Sequence, residues 1–331
     1  MDRSHSNWRR IWPGFLISVV ALATLLYFVD WQELRHSLSQ ANYLFLLPAS
    51  LLYIFGLTSR ARAWHILLGK QLHYRHVFLT MNAGYLLNNT LPLRLGELGR
   101  AWLLGRRGFG FWRVVSTILI ERSFDMLIAS GLTIGTLPIV FGSTRTTYIL
   151  IVAVILMGLS ILYFLARYQE MVLKFFDRFS AGNSQIGGWI RSHLGSFLAG
   201  LAALKDPLRF TGAFGWMVVG WTFALGAQFL LIRAFLPQAN LLWAAVTLGI
   251  SALGVAVPSS PGYLGIYEAA LVGALSLFGV SFSTALAYAF ISHIQYLLIT
   301  GIIGAYALIQ EGEALGSLYR NVRRKIDSKS M

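Results

Sequence analysis

NNTLPLRLGELGR at residues 88–100 and VPSSPGYLGIYEAA at residues 257–270 are the two stretches on which the fold turns. Both break otherwise apolar sequence with proline and glycine. Pro92, Leu95 and Gly96 of the first match Pro261, Leu264 and Gly265 of the second at one offset, 169 residues (261 − 92), about half of the 331-residue chain. Each stretch also carries ionisable groups: Arg94 and Glu97 in the first, Glu268 in the second. Non-helical backbone at membrane depth is tolerated only where protein or a water-filled cavity satisfies the freed polar groups. Paired interruptions at corresponding positions of two halves point to a transporter's binding site.

The surrounding composition sets the solvent. Hydrophobic residues make up 56% of the chain and charged residues 12%, against about 25% charge in a soluble domain. The chain therefore reads as an integral membrane protein. Cysteine is absent, which excludes disulfides and thiolate metal sites. The net charge of +14 is read as topology bias and not as a nucleic-acid footprint, because the Lys and Arg residues fall in short loops between apolar runs. The basic face also suits anionic lipid headgroups.

Six apolar runs approach the roughly 20 residues a spanning helix needs: residues 12–29, 43–59, 114–141, 147–166, 210–236 and 283–309. The first follows Arg3, Arg9 and Arg10 like a signal sequence. No small-residue cleavage site comes after it, so it is read as a retained span. The interrupted segments cover residues 77–104 and 241–280. With the N-terminus inside, nearly every basic residue falls inside only if both interrupted segments leave on the side they entered: the first from the cytoplasm, the second from outside. The expected architecture is all-α, with about six full spans and two re-entrant hairpins in two inverted repeats. Residues 1–141 form the first repeat, 142–309 the second, and 310–331 a basic cytoplasmic tail. SFDMLIASG at residues 123–131 and HIQYLLITG at residues 293–301 are a weaker echo of the repeat. Residues 185–205 carry apolar groups at helical spacing and read as an amphipathic helix on the inner surface.

Charges at membrane depth are costly and are either functional or paired. Arg94 and Glu97 lie three residues apart after Pro92. Arg94 would hold a lipid phosphate through its planar fork, or else form a structural pair or snorkel. Glu121, Arg122 and Asp125 form a charged wall that faces the first hairpin, or a helix-bundle ion network. A carboxylate of that wall would pair with Arg94 or exchange protons. In the second stretch, Pro258, Pro261, Gly262 and Gly265 describe a turn. Pro261 would open a helix capped by Ser260, with Ser259 beside it and free backbone N–H groups for an anion. Glu268 has no basic neighbour in sequence; the nearest candidates lie on other spans, and left unpaired it could carry a proton. His293 is a further polar candidate, or a packing residue. Arg60, Arg62 and Trp64 read as interfacial anchors. No nucleotide, metal-ligand or hydrolase motif is present.

RAWHILLG (residues 62–69), LPLRLGELGR (91–100), ERSFD (121–125) and PSSPGYLGIYE (258–268) together resemble the membrane domain of lysylphosphatidylglycerol synthases, a family also called flippase-like or AglD/YbhN-type. The resemblance covers nearly the whole chain. It implies translocation of a lipid or lipid-linked headgroup. By motif position it also implies Arg94, Glu97, Glu121, Arg122, Asp125 and Glu268 as site residues. Tyr263 stands where the family often has glycine, and His293 where it often has arginine. No aminoacyl-transferase domain is expected, so lysylphosphatidylglycerol synthesis is not.

The functional expectation is a non-enzymatic lipid translocase in the plasma (inner) membrane, with both termini cytoplasmic. It would take an anionic phospholipid or lipid-linked headgroup and need no cofactor or metal. The headgroup path would be lined by Arg94, Glu97, Ser259, Ser260 and Glu268. A non-transporting partner of a lipid-modifying enzyme, a membrane-embedded transferase using Glu97 or Glu121 as base, and a carrier of a small soluble anion are the alternatives. Homo-oligomers are compatible with each.

Overall fold

A computed structural model describes residues 16, 18–69, 72–91, 95–141, 205–256 and 260–311, with single positions between 149 and 171. Every regular element among these residues is helical. They are α1 (Ser18–Phe28), α2 (Trp31–Gln40), α3 (Leu46–Leu67, entered through a 3-10 turn at Tyr43–Phe45), α4 (Tyr74–Thr90), α5 (Leu95–Leu104), α6 (Phe111–Phe141), α7 (Pro207–Phe235), α8 (Leu241–Ala256), α9 (Ile266–Ser276) and α10 (Phe282–Gln310). A 3-10 turn at Pro261–Tyr263 lies between α8 and α9.

Local chemistry starts these helices. The Asp30 and Asp206 carboxylates accept from the first free N–H groups of α2 and α7, and Pro207 follows as the first helical residue. Asn240 does the same for α8, and Ser281 for α10. Such caps remove orphan donors at each helix start.

Helix lengths separate two classes of element. Among the described residues, three helices are long and apolar enough to cross a membrane: Tyr43–Leu67, Pro207–Phe235 and Phe282–Gln310. The chain is a membrane-embedded protein. α6 has 31 residues but carries Glu121, Arg122 and Asp125 along it. By contrast α4, α5, α8 and α9 have 17, 10, 16 and 11 residues. At about 1.5 Å per residue each falls short of the ~30 Å hydrocarbon core.

The helix ends collect at two poles. At one, Arg75 donates to the Tyr306 hydroxyl and Arg107 pairs with Glu311. Gly69 lies beside the Arg209 guanidinium there. At the other, the Asp30 N–H donates to Ser283 and the Asn42 N–H to the Ala234 carbonyl. α4 starts and α5 ends at the first pole. At the second, the start of α8 and the end of α9 are joined by the stacked rings of Trp243 and Phe278. Each short pair is thus a hairpin, and the two hairpins point toward each other.

The long helices cross at small residues, as expected where lipid gives no hydrophobic drive to association. α3 lies along α7, where Gly56 and Gly220 approach each other's carbonyls. α4 crosses α5 at Gly84 and Gly96: a Cβ on Gly96 would stand 1.9 Å from the Gly84 oxygen. α8 crosses α9 at Gly254 and Ala270. α10 packs on α4 through Gly304, and α8 on α6 through Gly249. Large side chains such as Leu44, Leu47 and Ile302 face outward.

Two features depart from the plain sequence reading. Residues 30–42, which join the first two apolar runs, contain α2. The helix expected to open at Pro261 begins instead at Ile266, with Gly265 as its N-cap; the Pro261 turn ends in Gly262 and Tyr263, both at positive φ. Residues 185–205 and most of the expected fourth span lie outside the described residues.

Candidate functional site

Six of the residues singled out in the sequence fall into two buried clusters. Glu121, Arg122 and Asp125 project from α6 toward α3 and α5. The Arg60 guanidinium grips Asp125 through both terminal nitrogens, Nη1 to Oδ1 at 2.7 Å and Nη2 to Oδ2 at 2.6 Å. The indole N–H of Trp221 adds a donor to Oδ1 at 3.1 Å, and Arg122 Nη1 stands 3.3 Å from Oδ2. Glu121 is fully buried and takes Arg100 Nη2 at 2.6 Å and Arg122 Nη2 at 2.8 Å. Arg100 is buried too, its guanidinium stacked 3.9 Å over the Trp64 ring. Glu97 of the first hairpin lies 3.4 Å from Arg122 Nε.

Arg60 and Trp64 are therefore not interfacial anchors. Arg60 sits inside the ion network, and Trp64 is buried, donating to Thr117. Arg62 is placed as expected, near the basic pole beside His65 and Tyr74. Among the described residues the ion-pair partners of the α6 carboxylates are Arg60, Arg100 and Arg122; the expected pairing with Arg94 falls outside them. Arg94, Pro92, Pro258 and Ser259 lie outside the described residues. Arg60 and Arg100 are the site residues that sequence reading missed. Their signal was available: Arg60 interrupts a long apolar helix, and Arg100 closes the motif that also holds Glu97.

The second cluster is built on the second hairpin. His293 of α10 faces Glu268 with Nδ1, while its Nε2 donates to the Gly262 carbonyl at 2.7 Å. A carbonyl only accepts, so Nε2 carries hydrogen. A second proton must lie between Nδ1 and the Glu268 carboxyl, since both are otherwise acceptors. The other Glu268 oxygen takes the Gly265 N–H at 2.7 Å. Glu268 is thus paired with a residue of the long helix α10. One N–H at this helix start, that of the N-cap Gly265, is thus taken by the chain's own carboxylate. Ser260 makes no side-chain cap; its N–H donates to Ser18 and its hydroxyl to the Leu264 carbonyl.

The first hairpin solves the same problem with a neutral group. The Gly96 N–H donates to the Asn88 side-chain oxygen at 2.8 Å. Gly96 and Gly265 are matched positions in the two interrupted stretches, and each has its backbone donor met by a nearby side chain.

Between the clusters lies a cavity of about 270 Å³. Arg60, Arg122, Asp125 and Tyr85 line one end, and Ser251, Tyr267, Ser292 and Gln295 the other. Every helix from α3 to α10 except α5 contributes to its wall. The two ends differ in chemistry: one is charged, the other neutral and polar.

The family described as lysylphosphatidylglycerol synthase TM region matches residues 11–304. The chain belongs to this family. A relative called "UPF0104 membrane protein", from Methanothermobacter thermautotrophicus, is 22% identical over 324 residues, which covers 91% of this chain and 95% of that protein. Membership in the lysylphosphatidylglycerol synthase TM family fits the order of the four motifs that first carried the resemblance.

Donor counting shows which group in the cavity wall is open to a ligand. An ionised carboxylate offers about four lone-pair sites. Asp125 has all of them faced by donors: two from Arg60, one from Trp221, one from Arg122. Arg60 is nearly spent as well, since its Nε also donates to the Tyr85 hydroxyl at 3.2 Å. Arg122 is different. It makes one hydrogen bond, to Glu121, while its Nε and Nη1 stand 3.4 Å from Glu97 and 3.3 Å from Asp125 as ion pairs without hydrogen-bond geometry. At 26% side-chain exposure it is also the most open of the three arginines, against 17% for Arg60 and 1% for Arg100. Among the described residues, the charged end of the cavity therefore holds one guanidinium, Arg122, whose hydrogen-bonding capacity is only partly used, beside a carboxylate whose lone pairs are all faced by donors.

Proposed function

We propose that the protein moves a phosphate-bearing lipid between leaflets, with its headgroup passing through the central cavity. The observation that supports the reading is Arg122: a cavity-facing guanidinium that hydrogen-bonds Glu121 alone and meets Glu97 and Asp125 only as longer ion pairs, set beside a carboxylate that has no lone pair left. A guanidinium fork matches phosphate oxygens bidentately. In a site walled by protein such a contact gains strength from the low local dielectric.

The architecture proposed around this site is two inverted repeats. Its support is the pairing of helices. Exchange α3–α6 for α7–α10 in order, and each contact maps onto another: α4 on α10 becomes α8 on α6, α5 on α6 becomes α9 on α10, and α3 on α7 maps onto itself. Two hairpins too short to span, entered from opposite poles, fit re-entrant segments. The pole that holds Arg75, Arg106, Arg107, Arg113 and Arg209 is read as cytoplasmic, and the pole with Arg35 and Arg233 as external. On that reading both termini are cytoplasmic, in a plasma membrane.

A transferase is less well supported. Glu121, the strongest candidate base, is held by Arg100 and Arg122 and lies within 3.4 Å of Arg60. Proton uptake there would disrupt ion pairs with three guanidinium groups.

The test is leaflet exchange of acyl-labelled phosphatidylglycerol in vesicles that contain the purified chain. Exchange faster than in empty vesicles, lost in Arg122→Gln, is expected. No acceleration for any phosphate-bearing lipid would overturn the reading.

A further inference from the structure

The headgroup reading makes no use of the Glu268–His293 pair, which lies one ring away from the cavity. Both side chains are buried. The rings of Tyr267 and Tyr296, both in the cavity wall, stand 4.7 and 6.0 Å from the His293 ring. The hydrogen bonds fix the proton count. His293 Nε2 carries hydrogen to reach the Gly262 carbonyl, so Nδ1 offers only a lone pair unless a second proton is present. The Glu268 oxygen in contact with Nδ1 is likewise an acceptor unless protonated. With that proton the pair is neutral overall, as histidine with carboxylic acid or imidazolium with carboxylate. Without it two lone pairs confront each other, and a buried carboxylate keeps only the Gly265 N–H as donor among the described residues. Burying an ionised group so poorly met is costly. The packing of α9 on α10 thus contains a bound proton.

Among the described residues no neighbouring charge substitutes for it. Glu268 and His293 have no other ion-pair partner there. Ser18, Ala21 and Leu22 of α1 pack on Gly265, Asn89 of α4 lies against Gly262, and Gly254 of α8 meets Ala270; none of these ionises. The turn, α9 and α10 add the phenols of Tyr263, Tyr267 and Tyr296, a group ordinarily protonated below about pH 10. α2 brings Glu33, Arg35 and His36 but meets α10 at its start, through Ser281 and Thr284. His73, Arg75 and His76 begin α4, where Arg75 meets Tyr306. Both junctions are roughly two turns or more along α10 from His293. α7 carries its arginines, Arg209 and Arg233, near its two ends. Arg60 of α3 and Arg122 and Asp125 of α6 line the opposite end of the cavity.

The proton fastens the start of α9. Gly262, Tyr263 and Gly265 have φ of 67°, 61° and 84°, a region that glycine enters freely and tyrosine only with strain. On one side of this segment His293 Nε2 holds Gly262. On the other, Nδ1 holds Glu268, which in turn holds the Gly265 N–H. Loss of the proton keeps the first attachment and removes the second. The turn stays on α10 while the start of α9 is released, beside the cavity-lining Tyr263 and Tyr267.

We infer that Glu268 and His293 form a binding site for one proton, and that release of this proton to water frees the second hairpin to move about residues 262–265. The proton leaves the bond between Nδ1 and the carboxyl. Glu268 remains ionised, and His293 remains neutral with its Nε2 hydrogen. The site does not depend on the lipid reading: a chain that fails to accelerate leaflet exchange leaves it standing.

The experiment is hydrogen–deuterium exchange of the purified full chain in detergent, from about pH 5 to about pH 9, with each rate divided by that of unstructured chain at the same pH. In the native chain, protection of peptides covering residues 262–276 is expected to fall at least about tenfold as pH rises, the size of a lost hydrogen bond to a charged group. Protection of residues 282–290, on α10, should stay constant. Glu268→Gln supplies a permanent N–H to Nδ1 and should hold residues 262–276 protected at every pH. Glu268→Ala should leave them exchanging fast throughout. Protection in the native chain that stays flat over this range would overturn the proton site, whatever the variants do. So would loss of protection on acidification instead, or a Glu268→Gln profile that falls with pH as the native one does. Any of these results would leave the lipid reading untouched.

Discussion

The Asn89 carbonyl at the end of the first hairpin lies against Gly262 in the turn of the second, where a Cβ would stand 3.4 Å from that oxygen. The contact is reinforced from α10: the Tyr296 hydroxyl donates to the Asn89 side-chain oxygen at 3.0 Å, and Asn89 donates to Thr300 at 2.8 Å. Gly262 is itself held by His293. Two hairpins from opposite poles are thus tied to one helix within two turns of it. The cavity opens beside that junction, so a shift of either hairpin would change its shape.

The first hairpin depends on closeness that no side chain permits. Gly96→Ala puts a Cβ onto the Gly84 carbonyl, and the backbone must move. An overpacked contact costs about 1–3 kcal/mol, and here the obstacle is rigid. Gly131, on α6, has nothing within 4 Å of its Cβ position. Gly131→Ala should be neutral or slightly stabilising, given alanine's advantage of up to ~1 kcal/mol in helices. Thermal unfolding of the two variants in detergent checks the contrast; equal melting temperatures would contradict it.

Arg60 and Arg62 are two residues apart and should behave oppositely. Removing Arg60 strips Asp125 of its bidentate partner while the carboxylate stays buried, a change that costs about 3–5 kcal/mol in such sites. Arg62 lies near the basic pole, where loss of charge typically costs under ~1 kcal/mol. Arg60→Ala is expected to lower the melting temperature sharply and Arg62→Ala hardly at all. The reverse order would remove Arg60 from the network.

Glu268 offers a cleaner separation of charge from hydrogen bonding. Glu268→Gln keeps an oxygen for the Gly265 N–H and provides an amide hydrogen for His293 Nδ1. Its effect on stability should stay below about 1.5 kcal/mol. Glu268→Ala leaves both His293 and the helix start without a partner and should cost at least about 2 kcal/mol more. Denaturation midpoints of the two purified variants measure the difference. Equal losses would show that the carboxyl is needed for its charge and not for its two bonds.

The fold was readable where a local rule sufficed. The matched Pro-x-x-Leu-Gly breaks fall between α4 and α5 and between α8 and α9, and the long apolar runs marked α3, α6, α7 and α10 within a few residues, except that α3 continues to Leu67, past its expected end at residue 59. What escaped was partner choice. Nothing in the sequence around Glu268 names His293, because the two meet only when α9 packs on α10. Arg60 looked like a helix-end anchor because its distance from the basic pole depends on how far α3 extends. Ser260 followed the usual serine-before-proline rule for a cap, but the strained Gly262–Tyr263 turn comes first and hands the cap to Gly265.

The most direct test of the opposed hairpins is single-cysteine labelling with a membrane-impermeant maleimide, and the chain's lack of cysteine makes it simple. His73→Cys and Arg106→Cys flank the first hairpin; Leu241→Cys and Ser281→Cys flank the second, and all four positions are exposed. The expected result is that both members of the first pair react only from the cytoplasmic side, and both members of the second only from outside. If His73→Cys and Arg106→Cys reacted from opposite sides, α4 and α5 would form a crossing, and the two-hairpin cavity could not exist as described.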